Sequence, residues 1–185
     1  DDGIHAQIIV PEDRFEDFKA FVEGDTDLSG IRLNIAVDDD GKSFYKLKIL
    51  VRRKIVADGL NDSTFDVTRR GKHLSAEEFN QLAADPNTII IDMRNHYESE
   101  VGHFQNAICP DVDTFREALP LVEEMLKDQK DKNLVMYCTG GIRCEKASAY
   151  YKHKGFKNVF QLDGGIIEYT RQAREKNIPN LFKGK

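Results

Sequence analysis

The chain has 185 residues, of which 40% are hydrophobic, enough to bury a core and to exclude a disordered tail. Its net charge is −5, from 27 Lys plus Arg against 32 Asp plus Glu, so the chain has no overall basic bias of the kind that favours nucleic acid, and any RNA contact must come from a local patch. No apolar run approaches the roughly 18 residues that a membrane span needs, and no signal peptide opens the chain. Three cysteines without a secretory signal indicate reduced thiols. We therefore expect a soluble, cytoplasmic protein.

The first part of the chain predicts a small α+β domain over residues 1–60. Pro11 favours a helix start, and phenylalanines at helical spacing follow it. Alternating residues over 31–35, an acidic turn and an apolar stretch over 44–56 predict a long hairpin. The strand-like segment 6–10 has no partner before it, so we expect the domain's opening strand to precede this chain.

Residues 61–72 are polar and aperiodic, which predicts a linker. Ser75 and Glu78 then form a capping-box signature that predicts the start of a new domain. From there strands and helices alternate, which favours a mostly parallel sheet with helices on both faces, over residues 73–176, followed by an extension over 177–185. The predicted elements are helix 75–84, strand 88–92, helix 113–128, strand 134–137, helix 143–154, strand 159–162 and helix 166–176.

A glycine-containing loop, from Cys138 to Arg143, lies between a predicted strand and a predicted helix. Ligands of open α/β sheets bind at the carboxyl ends of strands, and glycines allow the loop amides to turn inward. Inward N–H groups and the positive end of a helix favour a thiolate, and Arg143 adds a permanent charge. The sequence therefore predicts Cys138 and Arg143 as catalytic residues. The predicted anion cradle comprises Thr139, Gly140, Gly141 and Ile142. The alternative is a buried structural cysteine.

These residues resemble the rhodanese family, in which a Cys begins and an Arg ends a six-residue active-site loop. The resemblance covers roughly residues 73–176, including Ile91–Arg94, Gly102–Phe104 and Asp163–Ile166. A finer resemblance, to the rhodanese-domain tRNA uridine hydroxylases, extends through the first domain. It rests on the runs Leu33–Ala36, Asp39–Phe44, Ile55–Gly59, Asp92–Glu98 and Met136–Ser148.

The rhodanese resemblance implies the α/β fold of the second domain, and the first domain resembles a ferredoxin-like, acylphosphatase-type fold. The finer resemblance implies an oxidoreductase that hydroxylates C5 of the wobble uridine of tRNA to 5-hydroxyuridine. It implies molecular oxygen as co-substrate, no bound cofactor, and a cysteine-rich tail after residue 185. The loop by itself favours a sulfurtransferase that acts through a Cys138 persulfide. A non-catalytic RNA-binding or scaffold module stays open as a third interpretation.

Three further residues are candidates for supporting roles. Cys144, in the first turn of the helix after the loop, is either a resolving thiol or a small buried residue. Asp92 and Arg94, at a neighbouring strand end, either line the same crevice or form an internal salt bridge that holds the loop. The spacing of His96 and His103 matches no zinc pattern, so we expect no metal site.

Five cations without an intervening acid form what we call the basic strip: Lys46, Lys48, Arg52, Arg53 and Lys54. In an acidic chain such a strip suits phosphate contacts with tRNA, and the alternative is the charged edge of a hairpin. Tyr97 and Tyr137 are candidates for stacking on a splayed uridine. Beyond tRNA, we expect no membrane contact and no obligate protein partner.

Overall fold

The computed structural model describes residues 4–31, 33, 46–51, 58–60 and 62–184. The chain divides into two compact units, Asp1–Ile55 and Val56–Lys185. Among the described residues of the first unit, a 3-10 turn at Glu12–Arg14 leads into helix α1, Phe15–Gly24. The helix start predicted at Pro11 is confirmed, because Pro11 is the N-cap of that turn. Residues 6–10 form no strand with any described residue, and most of the predicted hairpin lies outside the described residues.

The second unit is an α/β fold. In chain order its elements are β1 (Lys72–Leu74), α2 (Ala76–Ala83), β2 (Thr88–Asp92), α3 (His96–Val101), β3 (Gly102–Phe104), α4 (Phe115–Met125), β4 (Asn133–Tyr137), α5 (Ile142–His153), β5 (Asn158–Leu162), α6 (Gly165–Glu175) and β6 (Phe182–Gly184). Strands β1, β5, β4 and β2 form a parallel sheet in this order, and β3 pairs with β6 in an antiparallel ribbon. The predicted mostly parallel sheet is confirmed.

Two hydrophobic cores lie on opposite faces of this sheet, because successive strand residues point to opposite sides. In β4, Leu134 and Met136 belong to one core and Val135 and Tyr137 to the other. The first core also contains buried apolar residues of α4 and α5, whereas the second contains buried apolar residues of α2 and α6. The prediction of helices on both faces is therefore confirmed.

The predicted capping box at the start of the second domain is confirmed. Ser75 Oγ accepts the N–H of Glu78 at 3.3 Å, and Glu78 Oε2 accepts the N–H of Ser75 at 2.9 Å. Two orphan donors of the first helical turn are thereby satisfied, and α2 begins within one residue of its predicted start. Among the described residues, no helix combines the length and the apolar character needed to cross a membrane.

The sequence did not indicate β1, α3, β3 or β6, because a strand of three residues or a helix of six is too short to show an apolar period. Strand β1 begins at Lys72, the last residue of the predicted linker, and β6 lies in the predicted extension. The residue before β1 is held by helix α5 and strand β5, since the N–H of Gly71 donates to Ser148 Oγ at 2.9 Å and Gln161 donates to its carbonyl at 3.2 Å. These contacts are long-range and invisible in the local sequence.

A buried ion pair attaches the segment before β1 to helix α5. The carboxylate of Asp58 lies 2.8 Å from Nζ of Lys146, and both side chains are almost fully buried. Asp58 also accepts the N–H of Leu60 at 2.9 Å. Because removing one partner of such a pair leaves a buried charge, the contact holds this segment firmly against the helix that follows the Cys138 loop.

Candidate active site

Cys138 directly follows β4, at the carboxyl end of the parallel sheet. Its carbonyl accepts the N–H of Ile166 at 3.0 Å, and the carbonyl of Thr139 accepts the N–H of Ile167 at 3.2 Å. The first turn of α6 therefore holds the first two residues of the loop. As expected for an open α/β sheet, the cysteine lies at the edge where ligands bind.

The sulfur of Cys138 lies inside its own loop and is fully buried. The amide of Gly141, a residue with φ of +93°, donates to this sulfur at 3.1 Å. A hydrogen bond from the Cys144 thiol, the charge of Arg143 and the amides of both residues lower the pKa of Cys138 to about 6, against the opposing effect of burial. The predicted thiolate environment is therefore present in the folded chain.

Cys144 is the partner of this thiolate rather than a second thiolate. It is fully buried in the core, and both burial and the neighbouring Cys138 raise its pKa well above the ordinary value. Cys144 therefore keeps its proton at neutral pH and donates it in a hydrogen bond to the sulfur of Cys138. Of the roles considered for it, this geometry favours a buried helix residue that also stabilises the thiolate.

Arg143 binds a carboxylate that the sequence did not single out. Its Nη1 lies 2.7 Å from Oε2 of Glu98, and its Nη2 lies 2.9 Å from Oε1. The hydroxyl of Thr139 donates to the same carboxylate at 3.1 Å, and Arg143 lowers the pKa of Glu98 to about 2. Glu98 lies within the Asp92–Glu98 run and completes a capping box with Asn95. These two features of the sequence could have drawn attention to Glu98.

The donors around the sulfur come from the second half of the loop. The amide of Gly141 donates a hydrogen bond to the sulfur of Cys138, and the amides of Arg143 and Cys144 contribute to lowering its pKa. Thr139 contributes its hydroxyl to Glu98 instead, Gly140 is exposed, and the side chain of Ile142 is 37% exposed. The groups that favour the thiolate therefore lie from Gly141 onward, and Gly141 has the left-handed backbone conformation that brings its own amide to the sulfur. The predicted contributions of Thr139, Gly140 and Ile142 to the cradle stay predictions.

Asp92 and Arg94 form the internal ion pair that was one of their two predicted roles. Arg94 Nη2 lies 2.6 Å from Oδ2 of Asp92 and also donates to the carbonyl of Gly102 at 2.5 Å. The hydroxyl of Tyr137 donates to Asp92 at 2.8 Å. This buried network joins the ends of β2 and β4 to β3 beneath the loop.

Tyr137 is fully buried, so it is not available for stacking on a base.

A turn of two glycines between β5 and α6 supports the Cys138 loop. Gly164 and Gly165 both have φ of +64°, the left-handed conformation that suits glycine. A Cβ at Gly165 would lie 2.4 Å from the carbonyl oxygen of Cys138 and 2.5 Å from that of Thr139. The close approach of α6 to the loop therefore requires glycine at this position.

The model of the rhodanese-like domain matches residues 75–172, which is more than half of the 185 residues. The chain belongs to the rhodanese-like family. The matched part of this rhodanese-like chain runs from the N-cap of α2 into α6 and contains the Cys138 loop, Glu98 and the supporting turn at Gly165.

Three curated relatives, each named tRNA uridine(34) hydroxylase, match this rhodanese-like chain over all of its 185 residues. The protein of Photorhabdus laumondii subsp. laumondii is 60% identical, that of Pectobacterium carotovorum subsp. carotovorum 57%, and that of Yersinia enterocolitica 56%. The chain spans about half the length of the curated relatives it matches, since it covers 53%, 52% and 53% of them.

The remaining candidates lie outside the Cys138 loop. Lys46 and Lys48 of the basic strip are exposed, in the first unit, whereas Arg52, Arg53 and Lys54 lie outside the described residues. Within the part of the chain that the structure describes, no group of His, Cys, Asp and Glu is arranged to hold a metal ion. The ring of His96 faces Asp113 at 3.0 Å, and that of His103 faces the carbonyl of Ser99 at 3.1 Å.

The pH dependence of alkylation tests the thiolate of the rhodanese-like domain. We expect the rate of Cys138 modification by iodoacetamide to have its midpoint near pH 6 and to fall about tenfold for each pH unit below it, because only the thiolate reacts. Burial of the sulfur scales the rate through loop opening and leaves the midpoint in place. Peptide mapping by mass spectrometry measures each cysteine separately.

Cys109 serves as the internal control in this experiment. It is only half-buried, yet burial and the nearby Asp92 raise the pKa of its thiol above the ordinary value. Its alkylation rate is therefore expected to keep rising up to pH 9. A Cys138 rate that follows the same rising profile would show that the loop does not stabilise a thiolate.

Proposed function

We propose that this chain carries the rhodanese-like part of a tRNA uridine hydroxylase that converts the wobble uridine to 5-hydroxyuridine. The observation that carries the proposal is the 60% identity over the whole chain with a relative named tRNA uridine(34) hydroxylase. That identity includes the first unit, which the rhodanese-like match does not cover. Shared sequence outside the Cys138 domain supports a shared substrate rather than a shared fold alone.

In this proposal Cys138 is the reacting group and molecular oxygen is the co-substrate. A thiolate is the form of cysteine that reacts with oxygen species, and with a pKa of about 6 most of Cys138 is thiolate at pH 7. Arg143 and the loop amides stabilise negative charge on the sulfur, and Cys144 donates a hydrogen bond to it. Asp92 and Arg94 brace the strand ends beneath the loop. No cofactor held by this chain is part of the proposal.

We extend the proposal to the organisation of the chain. The first domain, over residues 1–60, has a ferredoxin-like, acylphosphatase-type fold and is separated by the linker 61–72 from the rhodanese-like domain at 73–176. The extension 177–185 follows. The protein works in the cytoplasm, where its tRNA substrate is found.

The second candidate function is sulfur transfer through a Cys138 persulfide. The observation that favours it is the cradle itself, because amides and a guanidinium around a thiolate stabilise a terminal persulfide sulfur equally well. A thiosulfate and cyanide assay separates the two functions, since a sulfurtransferase forms thiocyanate without tRNA. The third candidate, a non-catalytic RNA-binding or scaffold module, requires that tRNA modification survive the loss of Cys138.

Mass spectrometry of tRNA nucleosides tests the hydroxylase directly. In cells that lack the full-length protein, we expect 5-hydroxyuridine and its derivatives to disappear from position 34 and to return when the gene is restored. Growth under ¹⁸O₂ is expected to label the new hydroxyl oxygen, which distinguishes molecular oxygen from water as its source. Unchanged nucleosides in the deletion strain would contradict the proposal.

The basic strip is the proposed contact for tRNA phosphates. Replacing Arg52, Arg53 and Lys54 together by Gln is expected to weaken tRNA binding at low salt and to flatten its salt dependence by roughly one unit of slope for each phosphate that is no longer neutralised. The identity of the modified uridine should not change, because phosphate contacts position the RNA and base contacts select it. Fluorescence anisotropy with labelled tRNA, across a salt series, measures both quantities in the full-length protein.

A matched variant removes three cations elsewhere. Lys127, Lys157 and Arg171 each form an ion pair with an acidic neighbour, so their replacement by Gln changes the net charge equally but removes little local positive potential. This control is expected to keep the wild-type salt slope. Equal effects of the two triple variants would assign the strip to a solvated hairpin edge.

Tyr97 is the remaining candidate for stacking on the uridine base. Its side chain is 54% exposed, next to Glu98 at the start of α3. Its hydroxyl accepts a hydrogen bond from Asn95 at 2.7 Å, and its ring packs edge-on against His96. An exposed ring that is held in place suits stacking, because little conformational entropy is lost when a base binds.

A further inference from the structure

The carboxylate of Glu98 contacts both ends of the Cys138 loop. It binds the guanidinium of Arg143 through two hydrogen bonds, at 2.7 and 2.9 Å, and accepts the hydroxyl of Thr139 at 3.1 Å. Arg143 also donates to the Thr139 hydroxyl at 3.3 Å. Glu98 comes from α3, far from the loop in the chain, so these contacts clamp the loop from outside.

Two properties of the Cys138 site accompany this clamp. The loop is closed, and the sulfur beneath it is fully buried. The guanidinium, which is the permanent positive charge closest in sequence to the sulfur, is also neutralised in part by the carboxylate that it binds. The side chains of Arg143 and Glu98 are only 20% and 23% exposed, so solvent screens this interaction incompletely.

We propose that Glu98 is a positioning residue of this site, which holds Arg143 against α3, keeps the loop closed over Cys138 and restrains the reactivity of its sulfur. The carboxylate touches neither the sulfur nor a substrate and acts through Arg143. The role applies to hydroxylation and to sulfur transfer alike. It therefore goes beyond the proposed function and does not depend on it.

The groups that face the sulfur determine the expected direction of the effect. They are Arg143 and Cys144 from α5, with Glu98 of α3 behind Arg143 and Asp92 at the end of β2 acting on Cys144. Removing the negative charge of Glu98 leaves the positive charge of Arg143 uncompensated. The thiolate is then stabilised further, so the pKa of Cys138 falls.

Replacement of Glu98 by Gln is the appropriate change, because it preserves the other role of this residue. Glu98 Oε2 accepts the N–H of Asn95 at 3.1 Å as part of the capping box of α3, and Gln serves equally well at that position. The matched control is Glu100→Gln, which removes the same charge from an exposed residue of the same helix.

The experiment measures the iodoacetamide rate of Cys138 between pH 4.5 and 9 in the full-length protein, with the Cys138 peptide quantified by mass spectrometry. For Glu98→Gln we expect the midpoint, which the dominant closed form sets, to fall by about one pH unit, and the limiting rate at high pH to rise several-fold because the loop opens more often. Glu100→Gln should match the wild type. A wild-type midpoint and rate in Glu98→Gln would overturn the proposal.

A double variant distinguishes positioning from a merely structural role. If Glu98 acts through Arg143, the variant with both Glu98→Gln and Arg143→Gln should have the midpoint of Arg143→Gln alone, because the charge that Glu98 compensates is gone. Additive shifts of the two substitutions would overturn the proposal. Since the assay uses no tRNA, its outcome is independent of whether the protein is a hydroxylase.

Glu98→Asp keeps the test decisive if thermal melting shows that Glu98→Gln does not fold. Aspartate retains the charge but is one methylene shorter, so it cannot hold Arg143 and Thr139 at the observed distances. We expect a several-fold higher limiting rate with a midpoint closer to that of the wild type. A wild-type limiting rate in Glu98→Asp would overturn the proposal.

Discussion

Replacing Cys138 by alanine in the full-length protein is expected to abolish hydroxylation of the wobble uridine, with a loss of at least roughly a thousandfold in rate. The amide of Gly141, the charge of Arg143 and the thiol of Cys144 all stabilise negative charge on the sulfur of Cys138. Without the thiolate no reacting group remains in the cradle. Mass spectrometry of tRNA nucleosides from complemented cells, and of tRNA treated in vitro, measures the loss.

Cys109→Ala provides the control for this experiment. Cys109 is half-buried, and its weak hydrogen bond runs to the carbonyl of Ala107 rather than to the loop. This variant is therefore expected to keep its activity. Wild-type levels of 5-hydroxyuridine in Cys138→Ala, with folding verified by thermal melting, would assign the chain to the non-catalytic interpretation.

Gly165→Ala is expected to destabilise the rhodanese-like domain by about 2–4 kcal/mol and to disturb the thiolate of Cys138. The added methyl group would lie 2.4 Å from the carbonyl oxygen of Cys138, in a left-handed conformation with φ of +64°. Because its close neighbours are backbone atoms, they cannot rotate away. The first turn of α6 must then move, and the hydrogen bonds from Ile166 and Ile167 to the loop weaken.

Gly140→Ala is the matched control from the same loop. A Cβ at Gly140 meets nothing within 4 Å, and the residue is exposed. Urea denaturation measures the free energy of unfolding of both variants, and the pH profile of alkylation reports on Cys138. We expect Gly140→Ala to stay within about 0.5 kcal/mol of the wild type. Equal stability of the two variants would show that the contact between α6 and the loop is not close in solution.

The features of the site that can be predicted from the sequence are those whose residues lie close together in the chain. The sequence places Cys138 and Arg143 at the two ends of one loop, and a strand and a helix on either side of it, so their proximity is encoded locally. The partner of Arg143 is not local. Glu98 precedes it by 45 positions, and only the packing of α3 beside the loop brings the two side chains together.

The choice between alternative roles also depended on tertiary contacts. Asp92 and Arg94 lie at the strand end in either of their predicted roles. In the structure they form the internal ion pair, and Tyr137 and the carbonyl of Gly102, from other parts of the chain, complete their hydrogen bonds. Tyr97 and Tyr137 are equally plausible stacking residues in the sequence. One is exposed and the other is buried in the second core.

The sequence by itself determined the alternating strands and helices after residue 75, the capping box that starts them and the loop that contains the cysteine, because each depends on hydrophobic period, turn residues or neighbours within a few positions. Only the tertiary structure decided how the loop is held. The clamp by Glu98 and the close approach of Gly165 hold the loop over the sulfur of Cys138, and the thiol of Cys144 lowers the pKa of that sulfur. These contacts between side chains and elements leave no local pattern in the sequence.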